Sequence, residues 1–293
     1  MPLGLSPGDR DITRRIVELA LAEDLGAVGD ITSAALIPKD MQGSVNVVSR
    51  ADGVLAGLPV AELVFQELDS AVKWTERVVD GSRLTRGTVV ASVVGPLRSL
   101  LAGERTVLNF LMHLSGVATL TRKFVDAVAG TKAIILDTRK TLPGWRRLEK
   151  YAVRAGGGTN HRMGLADGCL IKDNHLAAWS SARIGHSIAA AVAAARCALP
   201  AAVPVEVEVD TVEQFADALA GKPHIVLLDN MDVATLRECV WLRDQLAPSV
   251  LLEASGGIRL ANIAEIAATG VDRVSVGAMT HSAPALDLAF DWP

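Results

Sequence analysis

The sequence predicts an α/β protein in which a small α+β region is followed by an α/β barrel. Three observations carry this prediction. From residue 133 onward, short apolar segments alternate with amphipathic helical segments about six times, which is typical of parallel strands buried on both faces. No Gly-x-Gly-x-x-Gly motif follows the first of these strands, and polar residues stand at nearly every strand end. Both features favour a barrel over a doubly wound dinucleotide-binding fold.

The region before the barrel has a mixed pattern. Apolar residues at helical spacing predict a helix over 11–23. Strand-like segments, separated by turns that contain Gly and Asp, follow at 44–49, 54–56, 74–79 and 88–94. A long helix is then predicted from Glu104 to Val128, with a bend near Ser115-Gly116.

The barrel region is predicted from its regular alternation. Apolar or β-branched runs predict strands at 133–136, 168–171, 203–209, 225–228, 250–252 and 274–276. Amphipathic segments predict helices between them at 146–154, 182–197, 212–220, 233–246 and 260–269.

Composition excludes several classes of function. The net charge of -4 argues against a nucleic-acid-binding protein. No apolar run is long enough to span a membrane, and the N-terminus lacks a signal-peptide pattern, so a cytoplasmic location is expected. Cys169, Cys197 and Cys239 lie far apart and are expected to be reduced thiols in the core.

Polar residues and glycines end nearly every predicted barrel strand. These ends are Asp137-Thr138-Arg139-Lys140, Lys172-Asp173-Asn174-His175, Glu206 to Asp210, Asp229-Asn230, Glu253 to Gly257 and Val276-Gly277-Ala278. Active sites of barrel enzymes are built from the carboxyl ends of the strands and the loops after them. Six polar ends in succession therefore predict a ligand site at one mouth of the barrel.

The last two strand ends predict a phosphate site. Small residues let backbone N–H groups approach an anion closely, and the final two strand ends are where barrels hold phosphate. The residues concerned are Ser255, Gly256, Gly257, Val276, Gly277 and Ala278. Any one of these glycines could instead serve only a tight turn. Two such loops at the expected positions favour phosphate.

A basic group predicts a polyanionic ligand. It comprises Arg139, Lys140, Arg162 and Lys172, with His161 beside Arg162, and the loop 156–158 of three glycines can fold back to bring them together. Cations that converge on one mouth repel each other unless an anion is bound, and arginine forks suit carboxylates and phosphates. Separate surface salt bridges are the alternative for each residue alone.

Two acidic residues are predicted to face the same mouth from neighbouring strands. Glu208 and Asp229 could coordinate Mg²⁺, hydrogen-bond to sugar hydroxyls or act as counter-ions for the basic group, and their spacing does not decide between these roles. His113, His186 and His224 are isolated in the sequence and are expected to be structural.

Long motifs throughout the chain resemble the quinolinate phosphoribosyltransferase family, also called nicotinate-nucleotide pyrophosphorylase (carboxylating). They are found at 23–26, 29–32, 104–106, 137–146, 149–165, 171–175, 206–210, 228–230, 253–257 and 275–278. The resemblance covers nearly the whole chain. It implies an N-terminal α/β sandwich domain over 1–115, an incomplete α/β barrel over 116–279, and a return of 280–293 to the first domain.

The resemblance also implies an activity and a shared site. Phosphoribose would pass from phosphoribosyl pyrophosphate to quinolinate with loss of CO₂, giving nicotinate mononucleotide and pyrophosphate for NAD biosynthesis, with Mg²⁺ as cofactor. The enzyme would be a homodimer in which Arg105 reaches the neighbouring subunit's site. The residues implied in quinolinate binding are Arg105, Thr138, Arg139, His161, Arg162 and Lys172. Lys140, Glu208 and Asp229 would act on the pyrophosphate, the ribose and the metal.

Three alternatives stay open at this point. A pyrophosphorylase-like protein associated with molybdenum transport shares the barrel but departs at the Lys-Asp-Asn-His stretch, which this chain keeps from Lys172 to His175. Nicotinate phosphoribosyltransferase has a substrate with one carboxylate and needs fewer cations. A phosphate-ligand sensor would bind phosphoribosyl pyrophosphate without turnover.

Overall fold

A computed structural model describes residues 4–182 and 187–292 of the chain. The chain forms two compact units. The first consists of the described parts of Met1–Arg122, Thr141–Gly157 and Met279–Pro293, and the second of Lys123–Lys140 and the described part of Gly158–Ala278. The predicted boundary at 115/116 lies inside one helix, and the segment Thr141–Gly157, which the sequence assigns to the barrel, belongs to the first unit.

Apart from the short helix α11 (Ala278–His281), the first unit contains five helices in its described residues. They are α1 (Pro7–Leu25), α2 (Ile31–Leu36), α3 (Leu58–Leu68), α4 (Leu97–Ala127, which continues into the second unit) and α5 (Arg146–Ala155). Helix α1 begins earlier than predicted because the side chain of Ser6 accepts a hydrogen bond from Asp9 N and Pro7 occupies the first turn. Helices α2 and α3 are absent from the sequence prediction.

The sheet of the first unit is antiparallel. Its strands are β1 (Gln42–Ser49), β3 (Lys73–Glu76), β5 (Val89–Pro96) and β12 (Leu288–Asp291), in the order β12-β1-β5-β3. Strands β2 (Gly53–Val54) and β4 (Arg83–Leu84) form a separate pair. The last strand of the chain thus pairs with the first, with Phe290 opposite Val47.

Helix α4 starts earlier than the predicted Glu104 and continues through Ser115-Gly116. A Cβ atom on Gly116 would lie 2.2 Å from the carbonyl oxygen of Pro284. The glycine therefore permits close approach of the segment before β12, and this contact explains it without a bend in the helix.

The second unit is built on a six-stranded parallel sheet. Its strands are β6 (Ile134–Leu136), β7 (Cys169–Ile171), β8 (Val205–Val209), β9 (Ile225–Asp229), β10 (Leu251–Ser255) and β11 (Arg273–Ser275), in the order β6-β11-β10-β9-β8-β7. Within the described residues no ladder joins β6 to β7, so the barrel is incomplete, as the fold prediction states.

The remaining helices alternate with these strands. They are α6 (Asp173–Ala182), α7 (Ile188–Ala198), α8 (Val212–Ala220), α9 (Val233–Leu246) and α10 (Ile263–Ala267). The short helix α11 (Ala278–His281) follows the last of these strands, and its residues 279–281 belong to the first unit. Thr211 and Asp232 cap α8 and α9 by accepting hydrogen bonds from backbone N–H groups in the first turn. Helix α6 was not expected, and part of the predicted helix 182–197 lies outside the described residues.

The expected structural histidines and core thiols are met only in part. The Nδ1 atom of His224 accepts a hydrogen bond from Val205 N, whereas His186 lies outside the described residues. Cys239 is buried, but Cys169 is half-buried and Cys197 is exposed, so the prediction of three core thiols was wrong for Cys197. Among the described helices, none is both long and apolar enough to cross a membrane.

Candidate active site

The carboxyl ends of the parallel strands reach a common edge because their register aligns them. Asp229 at the end of β9 pairs with Ser255 at the end of β10, and Glu208 near the end of β8 pairs with Leu227. A cavity of about 300 Å³ opens at this edge. Its lining comprises Thr138, Arg139, Lys140, His161, Arg162, Leu170, Lys172, Glu208, Leu227, Asp229, Glu253, Ser255 and Ser275. The structure thus brings together the basic group, both acidic residues and one end of the predicted phosphate loop.

The basic side chains lie close enough to affect each other. Burial and the charge of Arg139 both lower the pKa of Arg162, although the guanidinium of Arg162 donates to the carbonyl oxygen of Gly168 at 2.8 Å. The turn that carries Arg139 and Lys140 is held by Thr138, whose Oγ1 accepts a hydrogen bond from Lys140 N at 3.0 Å. Cations that oppose each other in a cavity favour an anionic ligand.

Lys172 and Glu208 form an ion pair inside the cavity. The side chain of Lys172 is 43% exposed and that of Glu208 is 15% exposed. Glu208 is therefore a counter-ion to Lys172 in this structure, which is one of the roles that the sequence left open. A ligand carboxylate or a cation could replace one member of this pair, since both side chains reach the cavity.

Asp229 is oriented by its neighbour in the turn after β9. The side-chain amide of Asn230 donates to Asp229 Oδ2 at 2.6 Å, and Asn230 has a positive φ of 53°. A Cβ atom on Gly256, where φ is 84°, would lie 2.2 Å from Asn230 Oδ1. Gly256 is thus required both by its backbone conformation and by the close approach of Asn230.

The predicted phosphate loops differ in what they offer to a ligand. Ser255 lines the cavity, and the Cβ position of Gly257 faces open space. The backbone N of Val276 donates to the carbonyl oxygen of Leu136 at 2.8 Å, so this N–H group serves the sheet. Gly277 and Ala278 follow it, at the point where α11 begins.

His161 occupies a different environment from the one expected. Its Nε2 lies 3.3 Å from Glu206 Oε2 and 3.4 Å from Glu253 Oε1, and its Nδ1 accepts from Arg162 N at 2.7 Å. The ring nitrogens therefore face protein groups, although the residue lines the cavity. Because the Nδ1 atom accepts, the ring hydrogen lies on Nε2.

Sequence reasoning assigned no role to three buried acids beside this histidine. Asp137 accepts from Asn160 Nδ2 at 2.6 Å and from His161 N at 2.9 Å, and so fixes the chain before Arg162. Burial and the charge of Glu253 raise the pKa of Glu206. The available signal was glutamate among apolar strand residues: Glu206, together with Glu208, in β8 and Glu253 in β10.

Arg105 lies in the first unit, on helix α4. There it lines a cavity of about 190 Å³ together with Glu23, Asp24, Asn109 and Trp145. Nearby in the same unit, His113 Nε2 lies 2.8 Å from the buried Glu149, whose second oxygen accepts from Leu142 N. The intersubunit role expected of Arg105 stays a prediction.

Family models match both parts of the chain. The quinolinate phosphoribosyl transferase N-terminal domain matches residues 30–115, and the C-terminal domain of the same family matches residues 117–291. The chain belongs to the quinolinate phosphoribosyltransferase family. The match spans the residues that form the cavity described above, from Thr138 to Ser275.

Relatives of the family are similar over nearly the full length. The nicotinate-nucleotide pyrophosphorylase [carboxylating] of Mycobacterium leprae is 48% identical, with 98% of this chain and 99% of that protein covered. A mitochondrial quinolinate phosphoribosyltransferase [decarboxylating] of Nicotiana glauca is 38% identical over 94% of this chain and 81% of its own length. The nicotinate-nucleotide pyrophosphorylase structure from Francisella tularensis has a TM-score of 0.90 at 38% identity, covering 100% and 99% of the two chains.

Proposed function

We propose that this enzyme transfers phosphoribose from phosphoribosyl pyrophosphate to quinolinate and releases CO₂, giving nicotinate mononucleotide and pyrophosphate. One observation carries the proposal. A single cavity holds Arg139, Arg162 and Lys172 together with the carboxylates Glu208 and Asp229. The cations suit a substrate with two adjacent carboxylates, and the carboxylates suit the hydroxyls and the developing positive charge of a sugar.

The residues divide the work by charge. Arg139 and Arg162 present planar forks that can each bind a carboxylate in two places, and Lys172 supplies a point charge once quinolinate displaces it from Glu208. Glu208 is then available to the ribose. Lys140 follows Arg139 in the same turn and faces the pyrophosphate. Catalysis in this scheme comes from positioning and charge, without a dedicated general base.

Decarboxylation needs no electron sink from the protein. When the ring nitrogen of quinolinate becomes ribosylated it carries a positive charge, and the electron pair left by CO₂ at the adjacent carbon is stabilised by that charge. The basic side chains hold the remaining carboxylate while a proton from solvent replaces CO₂. The product therefore keeps one carboxylate.

The acidic residues fit a magnesium ion. Glu208 and Asp229 offer hard oxygen ligands in the same cavity, and Mg²⁺ in proteins is commonly bound by one or two carboxylates together with substrate phosphates. When bound, the ion would neutralise charge on the pyrophosphate leaving group. The residues that would hold it are Glu208 and Asp229.

The first experiment measures both products of the reaction. Quinolinate, phosphoribosyl pyrophosphate and Mg²⁺ are incubated with the enzyme while nicotinate mononucleotide and CO₂ are followed together, and nicotinate is tested in parallel. We expect equal amounts of both products from quinolinate and little product from nicotinate. Binding of phosphoribosyl pyrophosphate without turnover of either substrate would identify a sensor or a paralogue instead.

We further propose a homodimer with a shared active site, in which Arg105 contributes to the partner's cavity. The support is that Arg105 belongs to the first unit whereas Lys140 lines the cavity of the second. Arg105→Ala and Lys140→Ala are each expected to be inactive alone. Mixed and allowed to exchange subunits, they should regain activity because some dimers contain one intact site. No recovery under verified exchange would contradict a shared site.

A further inference from the structure

Three polar groups at the wall of the cavity and directly behind it take no part in the chemistry proposed above. The ring nitrogen of His161 and the carboxylates of Glu206 and Glu253 lie within 4.8 Å of one another. The side chain of Glu253 is fully buried and that of Glu206 is 5% exposed, whereas His161 keeps 12% of its surface at the cavity wall. The cluster therefore sits directly beneath the site.

The cluster contributes little to the stability of the folded protein. Within the described residues, Glu206 Oε1 and both carboxylate oxygens of Glu253 make no hydrogen bond of good geometry. The nearest positive group is Arg273, whose Nε lies 3.1 Å from Glu253 Oε2. Burial of an ionised carboxylate costs several kcal/mol, which a loosely bonded cluster does not recover. Its position at the cavity wall suggests a role in the site.

The geometry shows what the cluster holds. The Nε2–H group of His161 points between the two carboxylates, at 3.3 Å and 3.4 Å from their nearest oxygens. On the other side of the ring, Nδ1 accepts from Arg162 N at 2.7 Å. The imidazole thus connects the buried acids to the main chain of Arg162, whose side chain lines the cavity.

A metal ion fits this cluster less well than a ring N–H group held between two carboxylates. Imidazole binds a metal through a nitrogen that carries no hydrogen. Since Nδ1 of His161 accepts from Arg162 N, the ring hydrogen lies on Nε2, which is the nitrogen that faces Glu206 and Glu253. A ligand role for Nε2 would require the Arg162 hydrogen bond to break.

We infer that Glu206 and Glu253 are positioning residues that clamp the imidazole of His161 and, through it, hold Arg162 in place for a ligand carboxylate. The inference rests on the proposed function, because it assigns the held arginine to the dicarboxylate substrate. The charged groups around His161 come from four places in the sheet: Glu206 on β8, Glu253 on β10, Arg273 on β11 and Asp137 after β6. Loss of the clamp should weaken quinolinate binding and leave phosphoribosyl pyrophosphate binding almost unchanged.

Two variants of similar volume test the clamp. Glu206→Met removes the acceptor for Nε2–H, and Glu206→Gln keeps one. We expect the Met variant to raise the KM for quinolinate about tenfold, because Arg162 is no longer held in place, and the KM for phosphoribosyl pyrophosphate to change less than about twofold. The Gln variant should restore the quinolinate KM to within about threefold of wild type. Glu213→Gln, an exposed change on α8, serves as control.

Thermal unfolding separates this role from a structural one. If Glu206→Met lowers the melting temperature and leaves both KM values unchanged, the positioning role is overturned, as it is if both KM values rise equally. Should the Glu206→Met variant fold poorly, Glu253→Met carries the same expectation for quinolinate, with Glu253→Gln as its conservative control. Calorimetric binding of benzene-1,2-dicarboxylate, which cannot react, keeps the test independent of turnover. Weakened binding of this probe by the variant supports the clamp even if the wild type does not convert quinolinate.

Discussion

Two buried charged clusters lie in the second unit, and they are built in different ways. At the amino-terminal side of the sheet, the side chain of Arg243 is 3% exposed and donates hydrogen bonds to Val250 O and Asp272 Oδ2. Asp272 also accepts a hydrogen bond from Leu252 N and forms an ion pair with Lys132. At the cavity, the carboxylate oxygens of the cluster around His161 are only partly bonded.

The difference indicates what each cluster serves. When one partner of a fully hydrogen-bonded buried ion pair is substituted, the other charge is left uncompensated and the protein loses stability. A cluster that leaves oxygens without hydrogen bonds contributes little to stability and is explained better by the ligand site that it borders. We therefore expect changes near Arg243 to lower stability and changes in the cavity to lower activity.

The largest effect is expected from Arg243→Met. The substitution removes the buried donor of Asp272 and of Val250 O, while Lys132 and Leu252 N still contact Asp272, so the free energy of unfolding should fall by about 1–3 kcal/mol. Urea unfolding measures the change, with Arg237→Met on the exposed face of α9 as the matched control. Activity per folded molecule should stay near that of wild type. An equal loss of stability in Arg237→Met would contradict the prediction that the buried Arg243 contacts stabilise the fold more than an exposed arginine does.

A smaller free-energy change, but a clear loss of activity, is expected from Lys172→Ala. The ion pair with Glu208 is partly exposed, so its loss should cost no more than about 1 kcal/mol of stability. The value of kcat/KM for quinolinate should fall at least about a hundredfold, because a charged contact to the substrate is removed. Lys123→Ala, an exposed change in the same unit, is the control. Unchanged turnover would show that Lys172 does not contact the substrate.

The smallest effect is expected in the pH dependence of stability that Asp272 contributes. It tests whether the Arg243 cluster, unlike the cluster around His161, stabilises the fold. Burial disfavours the charge of Asp272, but hydrogen bonds from Lys132, Leu252 N and Arg243 hold its pKa below the usual 3.8. The stabilisation by ionised Asp272 is therefore complete above the usual pKa of 3.8, which applies to the unfolded chain, and is lost as pH falls through the lowered pKa of the folded protein. The difference in unfolding free energy between wild type and Asp272→Asn should be constant above about pH 5 and should narrow in more acidic buffer. A gap that widens on acidification would contradict this sign.

The sequence predicted the elements whose period is clear. Strands β8 to β10 and helices α5, α8 and α9 lie within a few residues of their predicted limits. Helix α3 was missed because it is apolar on nearly all sides, with Leu58, Val60, Ala61, Leu63, Val64 and Phe65 all buried, so no helical stripe stands out. Helix α6 was missed because its first residues, Asp173 to His175, have the composition of a loop.

The sequence predicted the charged residues that line the cavity, but it did not predict the buried contacts behind them. Arg139, Lys140, Lys172 and Asp229 follow strands directly, and the parallel register brings their positions together. The contacts of His161 with Glu206 and Glu253 depend on three segments distant in sequence, and a pattern along the chain does not encode such distances. Sequence reasoning could place the histidine near the mouth but could not say which way its nitrogens face.

The pairing of β12 with β1 has a consequence for folding. Every strand of the second unit lies between these two partners in the sequence, so β1 and β12 meet only by closing a very long loop. Contacts between segments so far apart in sequence form slowly. Until this pair forms, the β1 edge of the first sheet is open to other strands. During refolding, this edge is therefore where pairing with a second copy of the chain is expected.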